Sequence, residues 1–400
     1  MMDDFGVMRS PREILFSAGQ RHALGGLVAR RGSRALVVTD ARLAADPQFN
    51  QMIADLEHQG VTVRIDASCQ PDVPAETAVA AADAARGYAP DIVVGVGGGS
   101  CLDMAKCLSL LLAHGGRPAD YYGELKVPGP VVPLVAVPTT AGTGSEVTPV
   151  AVLSDSERSL KVGISSPYLI PDLALCDPEL TLTCPPGLTA IAGADAMTHA
   201  IEAFTASRSE ANPALVRDRV FVGKNILSDH FALAAIELLW SGLAAACADG
   251  GDLAARSRVM RGATLAGLAF GVAGTAAAHA IQYPVGALTH TPHGAGVACL
   301  MPYVMAYNRP KIEPELDAIA QVIGVASGAE VIDAVAGLFQ RIGLPRSLRD
   351  LGLPEDRLDW VAEQSCGIER LLRNNPRPLD RPSMNRLVHA AFVGDTAGLS

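Results

Sequence analysis

Between residues 34 and 140 the chain alternates short β-branched runs with stretches of helical spacing, and this alternation leaves few folds open. "RALVVTD" (34–40) reads as a strand, and "QFNQMIADLEHQG" (48–60) as a helix that stops on a glycine. "VTVRID" (61–66), "DIVVGVGGG" (91–99) and "PLVAVPTT" (133–140) are further strands. "PAETAVAAADAARGYAP" (74–90) and "SCLDMAKCLSLLLAHGG" (100–116) are the helices between them. Repeated strand–helix–strand units imply a parallel, doubly wound sheet. From about residue 184 strand signals almost vanish, and Ala/Leu-rich helical segments such as "LTAIAGADAMTHAIEAFTAS" and "HFALAAIELLWSGLAAACADG" take over. Two prolines and a glycine in "LTLTCPPGLTA" punctuate the change. The expected organisation is an α/β domain over 1–183 followed by an all-helical domain over 184–400.

Charge and cysteine usage exclude several function classes. The formal net charge is -10, no Lys/Arg-rich run occurs, and aromatics are 4% of the chain, so a nucleic-acid partner is not expected. Eight scattered cysteines without a CxxC pair match a reducing cytoplasm. The first residues lack a signal-peptide pattern. "CLSLLLAH", read as the most apolar run, is too short to span a bilayer. A cytoplasmic protein with no membrane partner is expected.

Several motifs carry chemistry. "VGVGGGSCLDMAK" (94–106) is a strand, a glycine turn and a helix, a combination that lets backbone N–H groups approach a phosphate. It also serves as a plain tight turn, with Ser100 as a helix cap. Asp40 ends the first strand, where a carboxylate can bond a ribose hydroxyl or simply cap a helix. The Thr/Ser/Gly-rich "PTTAGTGSEVTPV" (138–150) can line a nucleotide pocket or turn the chain. In "GADAMTHAIEA" (193–203), Asp195 and His199 stand four apart on one face of an apolar helix. Three of nine histidines fall within "HAIQYPVGALTHTPHG" (279–294). One carboxylate with three imidazoles suits divalent iron or zinc, but ligand chemistry does not choose between His290 and His293. Arg217, Arg219 and Lys224 in "VRDRVFVGKN" (216–225) can meet an anionic substrate, but read first as a solvated loop.

Together these stretches resemble the iron-containing (group III) alcohol dehydrogenase family over nearly the whole chain. The match also takes in "PDLALCDPEL", "PPGLTAIAGADAMTHAIEAFTA", "GVACLMPYVMAYN" and "NPRPL". The resemblance implies the architecture shared with dehydroquinate synthase: a Rossmann-like dinucleotide-binding domain, then a helical domain, with the site in the cleft between. It places the metal ligands, for Fe2+ or alternatively Zn2+, on Asp195, His199, His279 and His293. The spacing of fourteen between His279 and His293 matches the family's, which favours His293 over His290. It implies NAD lying along Gly97, Gly98, Gly99 and Ser100, with Asp103, Thr139, Thr140, Thr143, Lys161 and Leu180 around it. Asp40 matches the acidic position that favours NAD over NADP. Many members carry a histidine four residues after His279; here Tyr283 stands in that place, as a candidate proton relay or as pocket wall. The implied activity is hydride transfer between NAD(H) and a small primary alcohol or aldehyde. "HAIQYPVGALTH" also resembles members that act on functionalised small aldehydes, and a hydroxyacid–oxoacid transhydrogenase with retained nicotinamide is the alternative. A homodimer or larger homo-oligomer is implied as well.

Overall fold

The computed structural model describes residues 4–157 and 160–399. The chain forms two compact units. One runs from Arg9 to Thr183 and takes in Val216–Val220; the other holds the segment ending at Met8, Cys184–Leu215 and the chain from Phe221 onward.

The first unit is built of β1 (Glu13–Phe16), α1 (Leu24–Ala29), β2 (Arg34–Val38), α2 (Ala41–Ala44), α3 (Pro47–His58), β3 (Thr62–Asp66), α4 (Ala75–Arg86), β4 (Ile92–Gly97), α5 (Gly99–His114), β5 (Gly123–Glu124), β6 (Leu134–Pro138), β7 (Val150–Asp155), β8 (Leu160–Ser165) and β9 (Leu173–Cys176). Six strands form one sheet in the order β1-β9-β6-β4-β2-β3, parallel at every pairing. β4 and β6 are buried throughout, as expected of strands covered on both faces. From β2 the chain moves outward to β3, then returns to the other side of β2 to form β4. That reversal is a topological switch point, and ligands of doubly wound sheets bind at the carboxyl ends of the strands flanking it. Asp40 follows β2 and the glycine turn follows β4, so the switch point sits between them. The order is the flavodoxin-type variant of the doubly wound sheet, with β1 added at one edge. A second sheet, β5-β8-β7, was not anticipated from the sequence. β7 alternates half-buried and buried positions, so one face only is covered.

The second unit is helical: α6 (Pro186–Thr205), α8 (Ile226–Ala248), α9 (Leu253–Ala273), α10 (Ala277–Thr289), α11 (His293–Ile323), α12 (Gly328–Arg341), α13 (Leu358–Cys366), α14 (Glu369–Leu372) and α15 (Arg381–Val393). A short α7 (Leu215–Asp218) follows α6 on the connection to α8. Asn225 starts α8 through a capping box, accepting from Leu227 N and Ser228 N while its own N–H goes to Ser228 Oγ. By length and composition α8 is apolar enough to cross a bilayer, which corrects the expectation that "CLSLLLAH" is the most apolar run. Its buried face, with Ile236, Leu239 and Leu243, packs instead on α6 and α9.

α6 approaches α8 closely because Gly193 faces Leu243. A Cβ on Gly193 would lie 2.2 Å from Leu243 Cδ1. Gly193→Leu is expected to destabilise the protein by about 1–3 kcal/mol through overpacking. A denaturant-unfolding midpoint equal to that of the parent would show that the helices separate freely.

Candidate active site

The helical unit brings four ligand-bearing side chains to one point. α6 presents Asp195 and His199 from one face, α10 presents His279 near its start, and α11 presents His293 at its first residue. Asp195 Oδ1 lies 3.8 Å from His199 Nε2, 3.9 Å from His279 Nε2 and 3.9 Å from His293 Nε2. These gaps are too long for hydrogen bonds. Ligands about 2.1 Å from one tetrahedral cation stand about 3.4 Å apart, so a small contraction would suit all four to a shared ion. Asp195, His199 and His279 form the tight buried trio, while the side chain of His293 is 28% exposed and stands at the rim. His290 goes elsewhere: it is exposed and takes the left-handed conformation (φ 53°) that ends α10.

The electrostatics fit a divalent metal. Burial, reinforced by His199, pushes the His279 imidazole down to about 3, so it is neutral and its lone pair is available at neutral pH. His279 Nε2 is buried with no hydrogen-bond partner, an arrangement that is unfavourable without a ligand there. The His199 ring stacks on Phe270 at 4.1 Å and on His279 at 4.7 Å, which holds it in place. The Tyr283 ring lies 6.2 Å from that of His293, tilted by 43°.

Glu202 escaped the sequence reading. It is 1% exposed and lies on the same helix face, seven residues after Asp195, a spacing that could have revealed it. Its Oε2 meets His279 Nδ1 at 2.6 Å and accepts Ala276 N–H at 2.8 Å, and its Oε1 accepts Ala278 N–H at 2.8 Å. Burial pushes its carboxyl up to about 7, against the pull of those two N–H groups and of His199.

In the α/β unit, the glycine turn is forced by close approach. Gly97 has φ +151°, and a Cβ there would lie 2.5 Å from Cys101 Sγ. One on Gly99 would lie 2.5 Å from Thr143 Cγ2, and one on Gly98 would lie 3.3 Å from Thr140 Oγ1. Gly98 opens α5 with no side-chain cap, so first-turn N–H groups remain for an anion. Ser100 is therefore not the cap; its Oγ accepts Asp72 N–H at 3.2 Å. Thr139 N–H donates to Gly97 O at 2.9 Å and joins β6 to the turn.

Other expected cofactor neighbours also serve the fold. Asp103 accepts Ser145 Oγ–H at 2.6 Å and Val152 N–H at 3.0 Å. Fully buried Lys106 donates to Thr148 O and Val150 O, each at 2.8 Å, and burial pushes its ammonium down to about 8. α5 thereby anchors the Thr/Gly-rich loop. Thr143 Oγ1 accepts Ser145 N–H within that loop at 3.2 Å. Lys161 pairs with Asp72 at 2.6 Å, and Leu180 lies in the apolar cluster around Leu173 and Leu175. Asp40 caps α2 by accepting Leu43 N–H at 2.8 Å. Of the three cations read as a solvated loop, Lys224 is buried instead, with its Nζ 2.7 Å from Glu315. Arg217 pairs with its neighbour Asp218.

Comparison with known proteins accounts for both halves. The model of the iron-containing alcohol dehydrogenases matches residues 11–178, and that of the family's C-terminal domain matches residues 189–392. Long-chain-alcohol dehydrogenase 1 of Geobacillus thermodenitrificans is 36% identical, over 92% of this chain and 92% of its own. A 1,3-propanediol oxidoreductase structure superposes with a TM-score of 0.88 at 31% identity, covering 97% of this chain and 100% of that one. A sulfoacetaldehyde reductase of Bifidobacterium kashiwanohense, solved with NAD+, does so with a TM-score of 0.84 at 26% identity, covering 98% and 99%. With both halves matched in order and a metal-ready cluster in the second, the chain belongs to the iron-containing alcohol dehydrogenase family.

Proposed function

We propose that this protein is a metal-dependent oxidoreductase that transfers hydride between NAD(H) and a small primary alcohol or aldehyde. The observation that carries this reading is the convergence of three imidazole nitrogens on Asp195 Oδ1 at 3.8–3.9 Å. Asp195, His199, His279 and His293 would hold Fe2+, or Zn2+ in its place. A divalent metal held there would supply Lewis-acid polarisation of a substrate oxygen, and a bound nicotinamide would supply the hydride donor or acceptor.

The remaining work falls to the chain itself. Asp195 supplies the negative charge that balances a dication among neutral imidazoles, and Phe270 keeps water from one face of His199. Gly97, Gly98, Gly99 and Ser100 shape the turn for the pyrophosphate of NAD, with Thr139, Thr140 and Thr143 beside it. Asp103 acts by tethering the loop that carries Thr143. Lys161 and Leu180 complete the dinucleotide surface, and Asp40 favours NAD over NADP. A homodimer or larger assembly in the cytoplasm completes the reading, in keeping with the resemblance and with eight free thiols.

Anaerobic NADH consumption with a panel of small aldehydes and fresh ferrous ion tests the proposal. Activity that a chelator removes supports it. Turnover of a hydroxyacid–oxoacid pair without added NAD would replace it by the transhydrogenase reading.

Tyr283, one helical turn beyond His279 and beside His293, is proposed to relay the substrate proton. Tyr283→Phe is expected to lower turnover by less than about 10²-fold, because water can substitute for a phenol. If the pH–rate profile is unchanged, Tyr283 only shapes the pocket.

A further inference from the structure

We propose that Glu202 is the positioning residue of the metal centre, setting through His279 which nitrogen faces the ion. This rests on the reading of Asp195, His199, His279 and His293 as ligands.

Glu202 lies on α6 among residues that leave it 1% exposed. A buried carboxylate at such a place must be hydrogen-bonded, and this one meets three donors. Ala276 N and Ala278 N are backbone donors and cannot reverse their role. Together they make Glu202 the cap of α10, whose own N-cap residue offers no side-chain bond. The third contact, His279 Nδ1 at 2.6 Å, shares Oε2 with Ala276 N–H. Both carboxylate oxygens already face N–H donors as acceptors, so the geometry has Oε2 accepting from the ring as well, with the proton on Nδ1. The ring's second nitrogen, Nε2, then has a lone pair, and it points to within 3.9 Å of Asp195 Oδ1. The opposite tautomer would put N–H where a metal must bind. One side chain therefore fixes both the start of α10 and the donor atom that α10 delivers. A carboxylate on the far nitrogen also raises the basicity of a ligating imidazole.

Two measurements test this. Long-range 1H–15N spectra of histidine-labelled, metal-free protein report the tautomer directly. The expected result is a protonated Nδ1 on His279, and a protonated Nε2 overturns the proposal. Co2+ binding, followed by visible absorption with chelator competition, is compared for the parent and Glu202→Gln. Glutamine keeps the size but opposes a donor with a donor, so Co2+ affinity is expected to fall by about 10–100-fold. NADH binding should be unaltered. Affinity within twofold of the parent reduces Glu202 to a helix cap. If the variant does not fold, the tautomer of the parent still decides. If the parent itself binds no Co2+, the ligand assignment fails, and that outcome is separate from the tautomer result.

Discussion

Asp195→Ala should yield a folded protein that retains no ferrous ion and reduces no aldehyde, and His279→Ala should do the same. Asp195 is the one carboxylate whose oxygen is shared by all three imidazole nitrogens. Removing it leaves a dication with neutral ligands only, in a site where the trio is buried and water cannot screen the charge. Loss of a hydrogen-bond partner behind one ligand typically weakens a site by about 10–100-fold, so loss of a ligand itself should exceed that. A Lewis acid contributes several kcal/mol at the transition state, so turnover should fall by about 10³-fold or more. Metal content after desalting and NADH oxidation under anaerobic conditions read the two effects. Circular dichroism and NADH binding check that the fold and the glycine turn survive. Full turnover by either variant after metal removal would sink the metal role.

The sequence made the sheet legible because β2, β3, β4 and β6 carry β-branched runs long enough to show a pattern and are separated by clear helices. β1 and β9 were missed for a physical reason. Each has only four residues, too few to display a period, and each exists because it pairs with a distant segment, Glu13 against Leu173. The β7–β8 pair was missed because its uncovered face carries Ser154 and Lys161, which look like loop residues until the other face is seen to be buried. At the site, Asp195 and His199 were legible from their spacing. Glu202 shares that face by its spacing of seven, but its role was not legible, because two of its three contacts are backbone N–H groups of Ala276 and Ala278, and backbone donors leave no mark on a sequence. The role of Lys106 was hidden likewise: its bonds go to the carbonyls of Thr148 and Val150.

The glycine turn offers an independent test of the other half of the proposed reaction. Gly99→Val should abolish useful NADH binding while leaving metal retention intact. A Cβ at Gly99 already falls 2.5 Å from Thr143 Cγ2 and 2.9 Å from its Oγ1, before valine's two methyl groups are added. Thr143 cannot retreat cheaply, because its Oγ1 holds Ser145 N–H and Ser145 in turn is held by Asp103 of α5. The turn must then open, and the first N–H groups of α5 lose the geometry that lets them meet a phosphate. A loss of at least about tenfold in NADH affinity is expected, equivalent to about 1.4 kcal/mol. Gly98→Ala should be milder, since its added Cβ meets the Thr140 side chain at 3.3 Å (Oγ1) and 3.4 Å (Cγ2), distances that a shift of a few tenths of an ångström relieves. NADH fluorescence titrations of the two variants, with ferrous content measured alongside, give the ordering. Gly99→Val protein that binds NADH within twofold of the parent would mean that the glycines serve the chain's own packing and that the dinucleotide lies elsewhere.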